Sequence, residues 1–252
     1  MAGVVEAYAD LARRILDRPA RLGRTRLVAI DGPSGAGKTV FAERLAEAFT
    51  AIGRARASNA AGRAEPFAVA GLDRPPIVHT DDLLDGWADQ FTFWHRLEEW
   101  VLAPLRAGRT GHYRSYDWDR RRFGADWTPV PPAPVVLLEG FTAARAIIRP
   151  ELTFAVFVTA PDRLRLDRAL IRDGAAIRPC LDRWRRAERD HLAVDDTVGT
   201  ADLLVDGAAT PAPEPAAEAA PEPAATPAPE AVTGSGTDPA RFYVRLPGPP
   251  RR

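Results

Sequence analysis

Lysine is nearly missing from this chain. Of 34 basic residues among 252, 33 are arginine, and the one lysine is Lys38. A preference for arginine that spares one position marks that position, because a compact ammonium on a flexible stem fits where a planar guanidinium does not. Cysteine is as scarce. Cys180 alone excludes an internal disulfide or a multi-cysteine metal site, and a single thiol with no partner motif reads as structural. Net charge is absent as well: 34 acidic residues cancel the 34 basic ones, so no overall field holds the chain on nucleic acid. No run approaches the roughly 18 apolar residues of a membrane span. Acids interrupt the apolar pattern of MAGVVEAYADLARRILDRP, unlike a signal peptide. The expectation is a cytoplasmic protein with neither membrane nor nucleic acid as partner.

What is present is an alternation of apolar strands and helical patterns. Val4, Val5, Tyr8, Leu11, Ala12, Ile15 and Leu16 recur at helical spacing and predict an amphipathic helix within residues 1–21, packed on the core and stopped by Pro19. Leu27–Ile30 predicts a buried strand, followed by a glycine-rich turn and a helix through Phe41, Leu45, Phe49 and Ile52. Gly53–Leu72 lacks an apolar period and reads as a mobile excursion. Further strands are expected at Pro76–Thr80, Val135–Leu138, Phe154–Val158 and Ala201–Val205. Helices are expected at Trp94–Leu105, Asp162–Arg172 and Leu181–Leu192. This predicts an α/β fold: a parallel sheet covered on both faces within residues 22–207, with a helical lid at about 162–190. Residues 208–240 hold eight prolines among alanine, glutamate and threonine, and read as a disordered linker. Arg241–Arg252 (RFYVRLPGPPRR) regains aromatic and basic character; it reads as an untethered tail or, as a second reading, a peptide that docks weakly on a partner.

Gly32, Pro33, Ser34, Gly35, Ala36, Gly37, Lys38 and Thr39 satisfy G-x-x-x-x-G-K-[ST], between a predicted strand and the helix that Val40 continues. That context makes the segment a P-loop. Glycines let backbone N–H groups aim inward, the helix N-terminus adds positive potential, Lys38 reaches the terminal phosphates, and the Thr39 hydroxyl ligates Mg²⁺. A nucleoside triphosphate is the expected ligand. Two strand ends add carboxylates at the same sheet edge. Pro76–Thr80 delivers Asp81 and Asp82, where Asp81 would orient an acceptor hydroxyl and take its proton, although an aspartate at this place also suits a helix cap. Val135–Leu138 delivers Glu139, a candidate Mg²⁺ ligand or again a cap. Arg165, Arg168 and Arg172 share one helix face and read as lid cations that neutralise the transferring group, with a solvated polar face as the plain alternative.

GPSGAGKT, the strand-end TDD, LLEG and RLDRALIRD together resemble the uridine kinase family of P-loop kinases, relatives of phosphoribulokinase, pantothenate kinase and nicotinamide riboside kinase. The resemblance covers roughly residues 22–207. It implies ATP and Mg²⁺, a small hydroxyl acceptor that is nucleoside-like, and transfer to the 5′-hydroxyl of a pyrimidine nucleoside. It also implies Asp81 as the catalytic aspartate and Arg165, Arg168 and Arg172 as lid arginines. The family's next arginine in that run is Ala169 here. Its aromatic-histidine acceptor segment corresponds to Tyr116, Asp117 and Trp118, with Arg121 where histidine is expected. Asp82, Tyr113, Tyr116, Asp117 and Trp118 are thus the candidate acceptor contacts, Tyr113, Tyr116 and Trp118 by stacking on a ring or, equally, as an aromatic cluster of the fold. A vitamin riboside kinase and a regulatory P-loop NTPase are the alternatives, and homo-oligomers stay open.

Lys38→Arg keeps the charge but presents a planar fork to a loop built for an ammonium. It is expected to abolish most ADP production from Mg-ATP; retained activity would show that the solitary lysine is not chemically required.

Overall fold

The computed structural model describes residues 3–60, 73–209 and 239–248. In chain order the elements are β1 (Val4–Ala7), α1 (Tyr8–Leu16), β2 (Arg26–Asp31), α2 (Lys38–Ala60), β3 (Ile77–His79), α3 (Trp94–Leu97), α4 (Ala103–Arg106), β4 (Gly111–Tyr113), β5 (Tyr116–Asp117), β6 (Arg122–Phe123), β7 (Thr128–Val130) and β8 (Val135–Glu139). There follow β9 (Leu152–Thr159), α5 (Asp162–Asp173), α6 (Arg178–Asp195), α7 (Thr197–Thr200), β10 (Leu203–Asp206) and β11 (Phe242–Leu246). A π-helical segment, Glu98–Leu102, joins α3 to α4. Pro104 lacks the N–H that a regular helix would use there, which accounts for the looser turn.

The main sheet has seven strands in the order β1-β11-β10-β9-β2-β8-β3. The five from β10 to β3 run parallel; β11 joins the β10 edge running against them, and β1 pairs antiparallel with β11. Strand residues alternate between two cores. Val28 and Ile30 of β2 and Val135 and Leu137 of β8 face α1 and α2, against Leu11, Ile15, Leu45 and Phe49. Leu27, Ala29, Val136 and Leu138 face the opposite side, against Leu97, Val101, Leu102 and Leu105. Both faces are thus apolar, as a parallel sheet requires. Its β2 ends in the phosphate loop and has neighbours that leave on either side, so the crevice at the carboxyl ends opens beside β2.

Three expectations are corrected. Val4 and Val5 do not begin the first helix: Val4–Ala7 is a strand paired with Phe242–Arg245, and α1 starts at Tyr8. The β-branched pair suits a strand once a partner exists, and that partner lies far along the chain. Phe242–Leu246, read as part of an untethered tail or docking peptide, is instead the strand between β1 and β10. Tyr243 is 3% exposed, with its ring 5.2 Å from that of Tyr8 and 5.5 Å from that of Phe41. Its hydroxyl donates to Glu6 at 2.5 Å, and Arg14 and Arg245 each pair with Glu6 at 3.0 Å. Third, the helix expected to fade at Ile52 runs on to Ala60, through alanines and arginines that favour helix despite Gly53. Residues 61–72 of the expected excursion and 210–238 of the expected linker lie outside the described residues.

Tyr243→Ala empties an aromatic site shared by α1, α2 and both antiparallel strands. It is expected to lower unfolding free energy by about 3 kcal/mol, read from urea denaturation; a wild-type curve would mean that β11 contributes nothing to the fold.

Candidate active site

The phosphate loop leaves β2 at Asp31, whose carboxylate is 1% exposed and accepts three backbone N–H groups. Gly32 donates at 2.6 Å, Thr142 at 3.1 Å and Ala144 at 2.8 Å. One side chain therefore ties the start of the phosphate loop to the turn that follows β8 and Glu139. That turn is compact: Gly140 sits at φ +143°, where a Cβ would lie 1.8 Å from the Thr80 hydroxyl. Thr142 adopts φ +67°, and its hydroxyl accepts from the Trp94 indole at 3.3 Å. Lys38 is buried to 9% exposure and donates back to the Pro33 carbonyl at 3.2 Å, so the ammonium lies within its own loop. Thr39 and Val40 follow, exposed at the start of α2.

The strand ends place the acids as the sequence spacing required. His79 closes β3, and Thr80–Leu83 turns into a short 3-10 helix carrying Asp81 and Asp82. Asp81 is reached by solvent yet ringed by protein. Loss of bulk water is the main cause that raises its carboxyl above the ordinary value; Lys38 and Arg172 pull it back, and Glu139 and Asp82 push it up. Lys38, Arg172, Glu139 and Asp81 are therefore electrostatic neighbours. Glu139 is 5% exposed and takes His79 Nδ1 at 2.7 Å, a bond that raises the His79 pKa. Asp82 accepts from the Tyr113 hydroxyl at 3.3 Å, and burial raises its pKa.

Two helices cover the loop. Arg165 donates to the Ser34 carbonyl at 3.4 Å and Arg168 to the Gly35 and Gly207 carbonyls at 3.3 and 3.0 Å. The backbone fits as closely: a Cβ on Gly35, at φ +77°, would meet the Arg165 carbonyl oxygen at 2.3 Å. Arg172 lies one turn further along, paired with Asp173 at 2.7 Å, which holds its guanidinium above the usual pKa. Beside the loop lies a cavity of about 570 Å³ lined by Gly37, Val40, Arg44, Arg168, Gly207 and Phe242, among others. Phe242 and Tyr243 of β11 contribute to this wall, which no sequence motif indicated.

The candidate acceptor residues divide. Tyr113 and Tyr116 are 5% and 8% exposed, and Trp118 is 38% exposed. Tyr116 packs on Trp118 at 5.2 Å and Phe123 at 5.3 Å, and Trp118 on Trp87 at 5.4 Å. Asp117 is used by its own turn: Oδ1 accepts from the Asp119 and Arg120 N–H groups at 3.1 and 2.8 Å. Sequence reasoning passed over Asp31 as a site residue, and also His79, Trp87, Trp184 and Glu188. Of these only Asp31 carried a signal, an acid inside an apolar strand at the loop's first residue.

Burial lifts the Asp31 carboxyl from 3.8 to about 6, against its amide bonds and Lys38, which lower it. A raised folded-state pKa means that between these values the native chain binds more protons than the unfolded one, so stability is lost as pH rises through that window. Compared with Asp31→Asn in urea unfolding, the wild type is expected to lose about 2 kcal/mol of relative stability between pH 4 and pH 7. A pH-independent difference would show that the ionised Asp31 carries no such cost.

No protein-family model matches the chain. Over 148 residues, 58% of its length, it is 28% identical to inorganic pyrophosphatase TTM2 of Arabidopsis thaliana and 29% identical to inorganic pyrophosphatase TTM1 of that plant. The match is 20% of each, so the chain spans about a fifth of the curated relatives' length. Among solved structures, a possible uridine kinase from Bacillus stearothermophilus superposes with a TM-score of 0.53 at 18% identity, over 78% of this chain and 96% of that one. No helix among the described residues is long and apolar enough to cross a membrane. At that identity the likeness is one of architecture, and with the phosphate loop and the strand order it gives the chain the mixed α/β fold of P-loop kinases.

Proposed function

We propose that the chain is an ATP-dependent kinase that moves the γ-phosphoryl of Mg-ATP to a hydroxyl of a small acceptor. The observation that carries this reading is Asp81: an acceptor-side carboxylate open to the crevice, with Lys38, Arg172 and Glu139 acting on its charge. A carboxylate there can orient an incoming hydroxyl, of an acceptor in transfer or of water in hydrolysis, and the acceptor is what the test below varies. In this reading the loop N–H groups and Lys38 hold the phosphates, and the cavity beside Val40 and Arg168 receives the base and ribose. Asp81 orients the acceptor hydroxyl and accepts its proton late in transfer. Arg165, Arg168 and Arg172 are the lid cations, and the covering helices limit water.

The donor chemistry suits magnesium. Thr39 and Glu139 offer a hydroxyl and a carboxylate at one sheet edge, and no cluster of three or more His, Cys, Asp or Glu side chains forms a metal cage among the described residues. Mg²⁺ takes one or two protein oxygens and fills its octahedron with water and phosphate. When bound, it would neutralise charge on the triphosphate; His79 keeps the Glu139 carboxylate oriented for it.

The acceptor favoured is the 5′-hydroxyl of a pyrimidine nucleoside, uridine or cytidine, supported by the TDD, LLEG and RLDRALIRD resemblance. A vitamin riboside is the alternative acceptor, since Arg121 replaces the expected histidine. Hydrolysis of a pyrophosphate bond is a second reading, favoured by the match to the two plant inorganic pyrophosphatases. The test is ADP formation from Mg-ATP with and without nucleosides, ribosides and sugars, together with phosphate release from pyrophosphate. Acceptor-driven ADP is expected, and Asp81→Asn should cut its rate at least about 100-fold while Mg-ATP affinity holds. Acceptor-independent phosphate release, indifferent to Asp81→Asn, would transfer the assignment to hydrolysis.

A further inference from the structure

Glu188 is 1% exposed on α6, far in sequence from every motif above. A carboxylate taken from water is tolerated only when donors meet its lone pairs. Its Oε1 receives three, each at 2.7 Å: the Ser34 backbone N–H, the Ser34 hydroxyl and the Trp184 indole N–H. Its Oε2 faces Arg165 at 3.7 Å. With the Arg165 bond to the Ser34 carbonyl, the N–H, O–H and C=O of Ser34 are all held by the two covering helices. Those helices are joined to each other as well, since Arg185 of α6 reaches Asp162 Oδ1 of α5 at 2.6 Å, beside the Arg165 that shares that oxygen.

We propose that Glu188 is a positioning residue: a strut from α6 to the third residue of the phosphate loop that sets the lid arginines over the site. The competing idea is that this carboxylate stands in for a nucleotide phosphate and is displaced when ATP arrives. The surroundings favour the strut. Trp184, one turn earlier on the same helix, is 6% exposed and packed on Trp87 at 5.9 Å and Phe141 at 6.1 Å. Displacing Glu188 would strand the buried indole N–H of that fixed ring, which carries the full cost of an unmet donor. Only the consequence for phosphoryl transfer rests on the kinase reading; the docking of the lid does not.

The experiment compares wild type with Glu188→Ala, Glu188→Gln and Ser34→Ala, each first checked for a folded thermal transition. Trypsin cleavage within residues 162–190, where arginines abound, reports lid opening in the nucleotide-free full chain. Mg-ATP affinity and the ratio of acceptor phosphorylation to ADP formed are then measured. Cleavage is expected to quicken about ten-fold or more in Glu188→Ala. Glu188→Gln, which keeps an acceptor oxygen, should recover part of the protection, and Ser34→Ala should fall between it and wild type. In the alanine variant kcat should fall more than KM changes, with a larger share of ADP uncoupled from transfer. Wild-type protection in folded Glu188→Ala would overturn the strut, and so would several-fold tighter Mg-ATP binding by Glu188→Gln, the mark of a displaced phosphate mimic. Loosened lids in a chain whose wild type phosphorylates no acceptor would uphold the strut and remove the kinase reading instead.

Discussion

The site depends on one buried carboxylate crossing between two loops. β2 and β8 are neighbours in the sheet, but adjacency of strands does not fix the segments that leave them. Asp31 does so by accepting from Gly32 on one side and from Thr142 and Ala144 on the other. Three amide donors offset much of the cost of the ionised group, and its raised pKa marks what remains. The cost is local, and the return is geometric: Lys38 opens α2 and Glu139 ends β8, yet both act on the same Asp81.

Arginine chemistry accounts for how α5 is seated on the phosphate loop. A guanidinium has several donors in one plane, so it can bind a backbone carbonyl and a carboxylate together. Arg165 meets the Ser34 carbonyl and Asp162, while Arg168 spans the carbonyls of Gly35 and Gly207. Each gathers segments remote in sequence onto the phosphate loop. Lys38 has the opposite task, a single compact charge inside a tight turn, and its contact with the Pro33 carbonyl leaves it at the centre of that turn. The lone lysine and the abundant arginines are two answers to two geometries.

What could be read in the sequence follows from range. The phosphate loop, the acids at the ends of β3 and β8 and the arginine spacing on α5 are local patterns, and local patterns fix which edge and which face a side chain occupies. Asp117 shows the limit of that reasoning, because the same segment that aligned it with an acceptor contact gives it two backbone N–H groups to cap. The β1–β11 pair lay beyond reach for a different reason. Val4, Val5 and Tyr243 become strand residues only when paired, and their partners stand more than two hundred positions away. Glu188 had no pattern at all, since its meaning comes from Ser34, which belongs to another element.

Trp184 joins the two halves of the site that the sequence kept apart. Its indole N–H holds Glu188, and its ring meets Trp87, which meets Trp118 of the β5–β6 hairpin. The rings meet edge to face, with burial increasing from the exposed Trp118 through the half-buried Trp87 to Trp184. Tyr113 and Tyr116 are committed to the core, so Trp118 is the ring of this group with surface left for an acceptor. Under the kinase reading, an acceptor seated on Trp118 would meet the outer ring of a cluster whose inner ring, Trp184, donates to the carboxylate that holds Ser34. One helix, α6, thus carries both the ring at the inner end of that cluster and the carboxylate on the phosphate loop, so the two ends of the crevice share a single support.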